Sequence, residues 1–165
     1  MKKWKLKSIL KEILIGAIIL FLASNIISYM RKPTLASNQL PRLEVQLLDG
    51  TQFVKQEAKP IVVHFWATWC PTCKLEAPNI ERISKEYEVL SIAVNSGEDA
   101  KIKAYMDERK LTFKVLNDKE GKWAEEFNVE VYPTTFIYDA KGELKFSEVG
   151  YTTTAGLLGR LKLLE

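Results

Sequence analysis

Two cysteines and one histidine are all the thiol and imidazole groups in this chain of 165 residues. A closed zinc site takes four Cys, His or carboxylate ligands, so this supply argues against a structural metal centre, and no cofactor is expected. The chain also has no internal repeat and no low-complexity tract. Charge is missing from Ile13 to Met30, eighteen residues rich in Ile, Leu and Ala and about the length a helix needs to cross a bilayer. A core helix would show a polar face, whereas Ile13 to Ala23 is apolar or small all round; Ser24, Asn25 and Ser28 weaken the second half. No cysteine directly follows the run, which excludes a lipid anchor at that point. A basic excess is missing from the rest of the chain. Seven of the 24 Lys/Arg and one of the 21 Asp/Glu fall in residues 1–37, leaving 17 basic against 20 acidic residues, a net of −3. The overall +3 is therefore an orientation signal, and no nucleic-acid binding is expected.

Lys2, Lys3, Lys5, Lys7 and Lys11 precede the apolar run against Glu12 alone, and such a bias holds the N-terminus in the cytoplasm. The expected organisation is a basic cytoplasmic N-terminus over 1–12, a transmembrane signal anchor over 13–30, a linker over 31–39 and a folded domain over 40–165. The anchor would cross the cytoplasmic (inner) membrane once, with the domain in the periplasm or outside the cell. A signal peptide cleaved after Ala36, through Thr34-Leu35-Ala36, is the main alternative for the apolar run, and a core helix the weaker one.

Within the domain, strands and helices alternate. Leu43–Leu48 and Thr51–Val54 around Asp49-Gly50 form a hairpin pattern. Ile61–Trp66 is an apolar run of the kind found in interior strands, and a helix follows to about Glu88, which Pro78 should kink. Val89–Val94 and Thr112–Leu116 are strand patterns on either side of an amphipathic helix, Glu98–Lys110, carrying Ile102, Tyr105 and Met106. A turn at Asn117–Gly121 leads to a helix through Trp123 and Phe127. Strands at Thr134–Tyr138 and Glu143–Val149 and a helix at Thr153–Leu164 close the chain. The order predicts an α/β fold with a central mixed sheet flanked by helices.

Both cysteines lie where the Ile61–Trp66 strand becomes a helix. Pro71 suits a first helical position, which puts Cys70 at the N-cap, where open N–H groups and the helix dipole favour thiolate. Cys73 lies nearly one turn on, at a separation compatible with a disulfide. A purely structural disulfide is a poor alternative, because closing so short a loop removes little entropy from the unfolded chain.

At these residues the chain resembles the thioredoxin superfamily. The resemblance is to the membrane-anchored TlpA/ResA/DsbE-like thiol–disulfide oxidoreductases, and within them to the suppressor-of-copper-sensitivity D type. It is carried by Phe65-Trp66-Ala67-Thr68-Trp69-Cys70-Pro71-Thr72-Cys73-Lys74, Glu76-Ala77-Pro78, Val131-Tyr132-Pro133-Thr134-Thr135-Phe136 and Asp139-Ala140-Lys141-Gly142. It implies a thioredoxin-like fold, with an extra αβ unit between about residues 98 and 116. Cys70 would be the exposed nucleophile and Cys73 the resolving thiol, acting on cysteines of protein substrates, with a transmembrane thiol protein as electron donor. Glu76, one turn past Cys73, would exchange its proton. Pro133 would be the cis proline facing the cysteines. Tyr132 would present backbone to an extended substrate, with Trp66 and Trp69 as apolar contact surface, Trp66 being equally a candidate for the core. His64 stands where thioredoxins carry a buried Asp, and is either a proton relay or a hydrogen-bonded core residue. Reduction of disulfides is expected over oxidation, since a Glu76 carboxylate beside the pair would disfavour thiolate by like-charge repulsion. A copper carrier and a peroxidase are rival readings; against the second, Ala67 occupies the position three before Cys70 where a peroxiredoxin has Thr.

Overall fold

The computed structural model describes residues 2–30, 33, 35, 37–56 and 58–165. It divides into two units, 1–32 and 33–165. The first is one helix, α1 (Lys2–Met30), whose stretch Ile9–Ile27 is long and apolar enough to cross a membrane. Thr34 and Ala36 of the alternative cleavage site, and Arg31 and Lys32 of the expected linker, fall outside the described residues.

In the second unit, β1 (Glu44–Gln46) and β2 (Gln52–Val54) pair antiparallel as a separate two-stranded sheet. Thr51 donates to Asp49 Oδ1 from both its N–H and its hydroxyl, and Gly50 supplies a φ of 87° that its neighbours would resist. The main sheet has five strands: β3 (Ile61–Trp66), β4 (Glu88–Val94), β5 (Lys114–Asp118), β6 (Thr134–Tyr138) and β7 (Leu144–Val149). Their order is β5-β4-β3-β6-β7, with β3, β4 and β5 parallel and β6 and β7 antiparallel. β3 is central, and its six residues are all buried, which is why it is apolar throughout instead of alternating.

Among the described residues there are five helices: α1, α2 (Pro71–Ser84), α3 (Asp99–Glu108), α4 (Lys122–Glu126) and α5 (Thr154–Lys162). The sheet separates two cores. On one face Val62, Trp66, Val89, Ala93 and Ile137 meet Ala77, Ile80 and Ile83 of α2, Ile102 and Met106 of α3, and Leu157 and Leu161 of α5. On the other, Ile61, Val63, Phe65, Leu90, Ile92 and Phe136 meet the β1–β2 hairpin and Ala124 and Phe127 of α4. Burying one such Leu, Ile or Phe side chain stabilises by about 1.5–3 kcal/mol, so the two layers hold the sheet jointly.

Two expectations shift. The strand expected at Thr112–Leu116 begins two residues later, because Thr112 and Phe113 give their N–H groups to the Glu81 carboxylate (2.7 and 3.2 Å) and the ladder with β4 starts at Lys114. The helix after Cys70 ends at Ser84, not near Glu88, and the α-helical assignment runs unbroken through Pro78. α3 and β5 form the expected extra αβ unit, with β5 at the sheet edge.

Candidate functional site

β3 ends at Trp66, and four residues later Cys70 takes the N-cap of α2. Its backbone is extended (φ −81°, ψ 117°), Pro71 opens the helix, and the Cys73 N–H donates to Cys70 Sγ at 3.1 Å. That donor is one of the N–H groups a helix start leaves open, so the sulfur sits where the helix favours negative charge. Cys70 and Cys73 are disulfide-bonded with their Cα atoms 5.3 Å apart. In this oxidised form the expected exposure of Cys70 is not seen: it is 4% exposed and Cys73 1%, so Cys70 remains the more accessible sulfur by a small margin.

The Tyr132–Pro133 bond facing the pair is cis, and the Tyr132 carbonyl oxygen lies 3.6 Å from Cys70 Sγ. Tyr132 lies outside helix and strand, and among the described residues its N–H and carbonyl take part in no backbone–backbone hydrogen bond. Trp69 stands beside this edge, 54% exposed, with its ring edge-to-face on Tyr132 (5.8 Å) and its Nε1–H donated to the Asn95 carbonyl at 3.1 Å. Of the two readings for Trp66, the structure matches the core one and not the substrate contact. Trp66 is 2% exposed, donates to Ser91 Oγ at 3.2 Å and packs on Tyr105 and Phe113, so it is a core residue and no substrate surface.

Glu76 lies on the buried face of α2 with Cys73 and Ala77. Its Oε1 accepts the Thr152 N–H at 2.8 Å, and its Oε2 is buried without a partner. Burial pushes its pKa up to about 8, with the Thr152 bond opposing the rise. At neutral pH Glu76 is therefore mostly the neutral acid, which corrects the like-charge argument: below about pH 8 it carries little charge, and what disfavours an anion in this layer is the burial that raises Glu76 itself. Asn79, one turn on, clamps the segment that supplies the bond: its Nδ2 donates to the Thr152 carbonyl (2.9 Å) and Tyr151 hydroxyl (3.1 Å), and its Oδ1 accepts from Thr154 Oγ1 (2.9 Å).

His64 shares the face of β3 that carries Val62 and Trp66, the face α2 covers. Its Nδ1 lies 2.9 Å from Thr135 Oγ1, and burial pushes its pKa down to about 3, so the ring is neutral. The core-histidine alternative is the one this geometry matches. Among the described residues no group of three or more His, Cys, Asp or Glu side chains is placed to hold a metal ion. Thr152, Asn79 and Thr135 were not legible as site residues. Each acts through a backbone group or a single hydroxyl, and such partners carry no spacing signal.

Comparison with known proteins agrees with this geometry. The AhpC/TSA family matches residues 36–147. A thioredoxin-like protein of Haemophilus influenzae is 30% identical, over 98% of this chain and 98% of its own length. The thiol-disulfide oxidoreductase ResA of Oceanobacillus iheyensis is 31% identical over 76% of this chain and 64% of its own. Among solved structures, a secreted Mycobacterium tuberculosis disulfide oxidoreductase homologous to Escherichia coli DsbE superimposes with a TM-score of 0.65. It is 27% identical and covers 74% of this chain and 98% of its own.

Proposed function

The chain belongs to the AhpC/TSA family as a thioredoxin-like thiol–disulfide oxidoreductase, and on that premise we propose that it works tethered to a membrane, outside the cytoplasm, as a reductant of protein disulfides. The observation that carries the proposal is the Cys70–Cys73 pair at the start of α2 against the free backbone of Tyr132. In the dithiol form the Cys70 thiolate attacks one sulfur of a substrate disulfide, forming a mixed disulfide and releasing the first substrate thiolate. Cys73, deprotonated, then attacks Cys70 Sγ, closes the Cys70–Cys73 bond and releases the second thiolate. Two electrons pass to the substrate, and a membrane thiol donor must return them.

Glu76 supports this sequence as the proton acceptor for Cys73 through its ionised fraction, since a carboxyl that titrates near pH 8 exchanges its proton in the range where a thiol does. The reducing direction rests on what surrounds the thiols. The burial that holds Glu76 neutral also opposes an anion at Cys73, itself 1% exposed, and His64, held neutral, supplies no cation to favour thiolate. A pair with less stabilised thiolate is a better reductant. The apolar stretch Ile9–Ile27 with the lysines before it supports the tether, and the motifs around Cys70 and Pro133 support the suppressor-of-copper-sensitivity D type.

Cys70→Ser should abolish reduction of a protein disulfide, while Cys73→Ser should accumulate the mixed disulfide with substrate. Exchange retained by Cys70→Ser would sink the assignment. Equilibration against glutathione tests the direction: a potential near about −120 mV, the strong-oxidant end, with the pair found oxidised in cells, would overturn the reductant reading.

A further inference from the structure

On the side of Trp69 away from Pro133 in sequence lies a cleft of about 330 Å³, between the start of α2 and α3. Two of its lining groups are unusual. Thr68 and Tyr105 are 7% and 8% exposed, and the hydroxyl oxygen of each is buried without a hydrogen-bond partner. An orphaned buried hydroxyl costs about 1–3 kcal/mol, and two lining one cleft need a reason. Neither has a local remedy. The Thr68 N–H is already satisfied by Ser96 Oγ (3.0 Å), and the Tyr105 ring is fixed between Trp66 (5.2 Å) and the Arg109 guanidinium (4.2 Å).

The charge of the cleft is one-sided. Lys74, Lys101 and Arg109 line it against Glu108 alone, and Glu108 is neutralised by Arg109 at 2.9 Å. Lys74 and Lys101 are exposed and form no ion pair among the described residues. This cationic rim sits on a domain whose own balance is acidic. Two donors without acceptors and two cations without anions are together the complement of a carboxylate, which supplies acceptors and negative charge at once.

We propose that this cleft is a second recognition subsite, taking an acidic side chain of the substrate protein next to the disulfide with which Cys70 exchanges. The proposal rests on the disulfide-exchange reading of the pair. Trp69 fixes the occupant as part of a substrate chain: it lines the cleft, is the residue before Cys70, and packs on Tyr132. The same indole borders both the Tyr132 edge and the cleft that Lys74 and Lys101 line, so a chain lying along Tyr132 with its disulfide at Cys70 runs beside that cleft. Charge complementarity of this kind acts on partner choice and encounter rate more than on tightness.

The test uses the reduced full chain in detergent and two disulfide-linked peptides that differ only in Glu or Gln on the residues flanking the cystine. The readout is the ratio of their second-order exchange rate constants, in which any general loss of activity cancels. For the wild-type chain the Glu peptide should react about fivefold faster at low ionic strength, with the ratio approaching one in ~1 M salt. Lys101→Glu should bring the ratio below one, and Tyr105→Phe, which removes only the orphaned hydroxyl, should lower it. A wild-type ratio of one, or a ratio that Lys101→Glu leaves in place, overturns the subsite while leaving disulfide exchange intact. Failure of both peptides to react overturns the exchange reading itself. Abolition of the preference by free glutamate at the peptide's own concentration would assign the cleft to a small carboxylate and overturn the protein source.

Discussion

The two faces of β3 are built from the same strand and differ in kind. Ile61, Val63 and Phe65 point into a mainly apolar layer, closed by the hairpin and by Phe127 and Phe136, in which the buried Thr134 and Tyr138 of β6 are polar exceptions. Val62, His64 and Trp66 point into a layer that holds polar groups in register: His64 stands opposite Ser91 of β4 and Thr135 of β6, and all three are buried. Glu76 lies buried on α2, which covers that same face. A solvent-excluded polar group costs free energy unless paired, so a core meant only for stability would not collect them. The apolar face serves packing, and the polar face, which also holds Cys73, is where the proposed proton and electron chemistry is placed.

The largest effect should come from the apolar face. Phe65 lies 5.1 Å from the Phe127 ring and 5.9 Å from the Phe136 ring, with no exposure. Phe65→Ala should cost about 3–5 kcal/mol in denaturant unfolding, through lost burial and the cavity left behind. The redox potential of the surviving folded protein should not move. A shift in potential as large as that of any change on the other face would break the division between the two.

The polar face should set how stability responds to pH. Glu76 has a folded pKa of about 8 against an ordinary value of 4.5, so the folded state binds the extra proton and stability falls as pH rises from about 4.5 to 8. His64 has a folded pKa of about 3 against 6.5, so the unfolded state binds the extra proton and stability falls as pH drops from about 6.5 to 3. The two slopes oppose each other between about pH 4.5 and 6.5, giving a plateau in their joint contribution. Between pH 5.5 and 8 the Glu76 loss should be on the order of 3 kcal/mol. Glu76→Gln should flatten the alkaline limb and His64→Asn the upper part of the acid limb in thermal or urea unfolding followed across pH. An alkaline limb unchanged in Glu76→Gln would mean that burial of this carboxyl is not what the folded state resists.

The apolar face was legible in the sequence and the polar face only in part. Ile61-Val62-Val63 announces a buried strand, and the Asp49-Gly50 and Lys141-Gly142 turns announce its neighbours, because burial and turn geometry leave direct marks on residue type. The cysteines were legible for a similar reason: a helix start with Pro71 behind Cys70 is a local feature. Trp66 was not, since period-two alternation says that it opposes Phe65 but not whether its face is covered, and α3, whose Tyr105 covers it, lies nearly forty residues on. Glu76 shows the same limit. Its spacing from Cys73 places it on the right side of α2, but its charge state depends on its burial, which outweighs the bond from the distant Thr152. The start of β5 moved because of one distant carboxylate, Glu81, which no periodicity records.

The smallest effect, and the sharpest division between the two faces, is expected at Asn79. Its side chain makes three hydrogen bonds to Tyr151, Thr152 and Thr154, and so holds in place the segment whose N–H reaches Glu76. Asn79→Ala removes those ties at a partly buried site and should cost about 1–2 kcal/mol at pH 6. The more telling consequence is on Glu76. That carboxyl owes its raised pKa to burial, which exceeds the opposing help of the Thr152 N–H. If the 151–154 segment loosens, water reaches Glu76 and the bond weakens together; the loss of desolvation is the larger change, so the pKa should fall toward the ordinary carboxyl range. The alkaline limb of the stability profile should then move to lower pH and shrink, and in the double variant Asn79→Ala/Glu76→Gln this change should vanish. A limb that stays near pH 8 in Asn79→Ala would show that the sheet and α2 alone bury Glu76, and that the α5 segment merely closes the molecule.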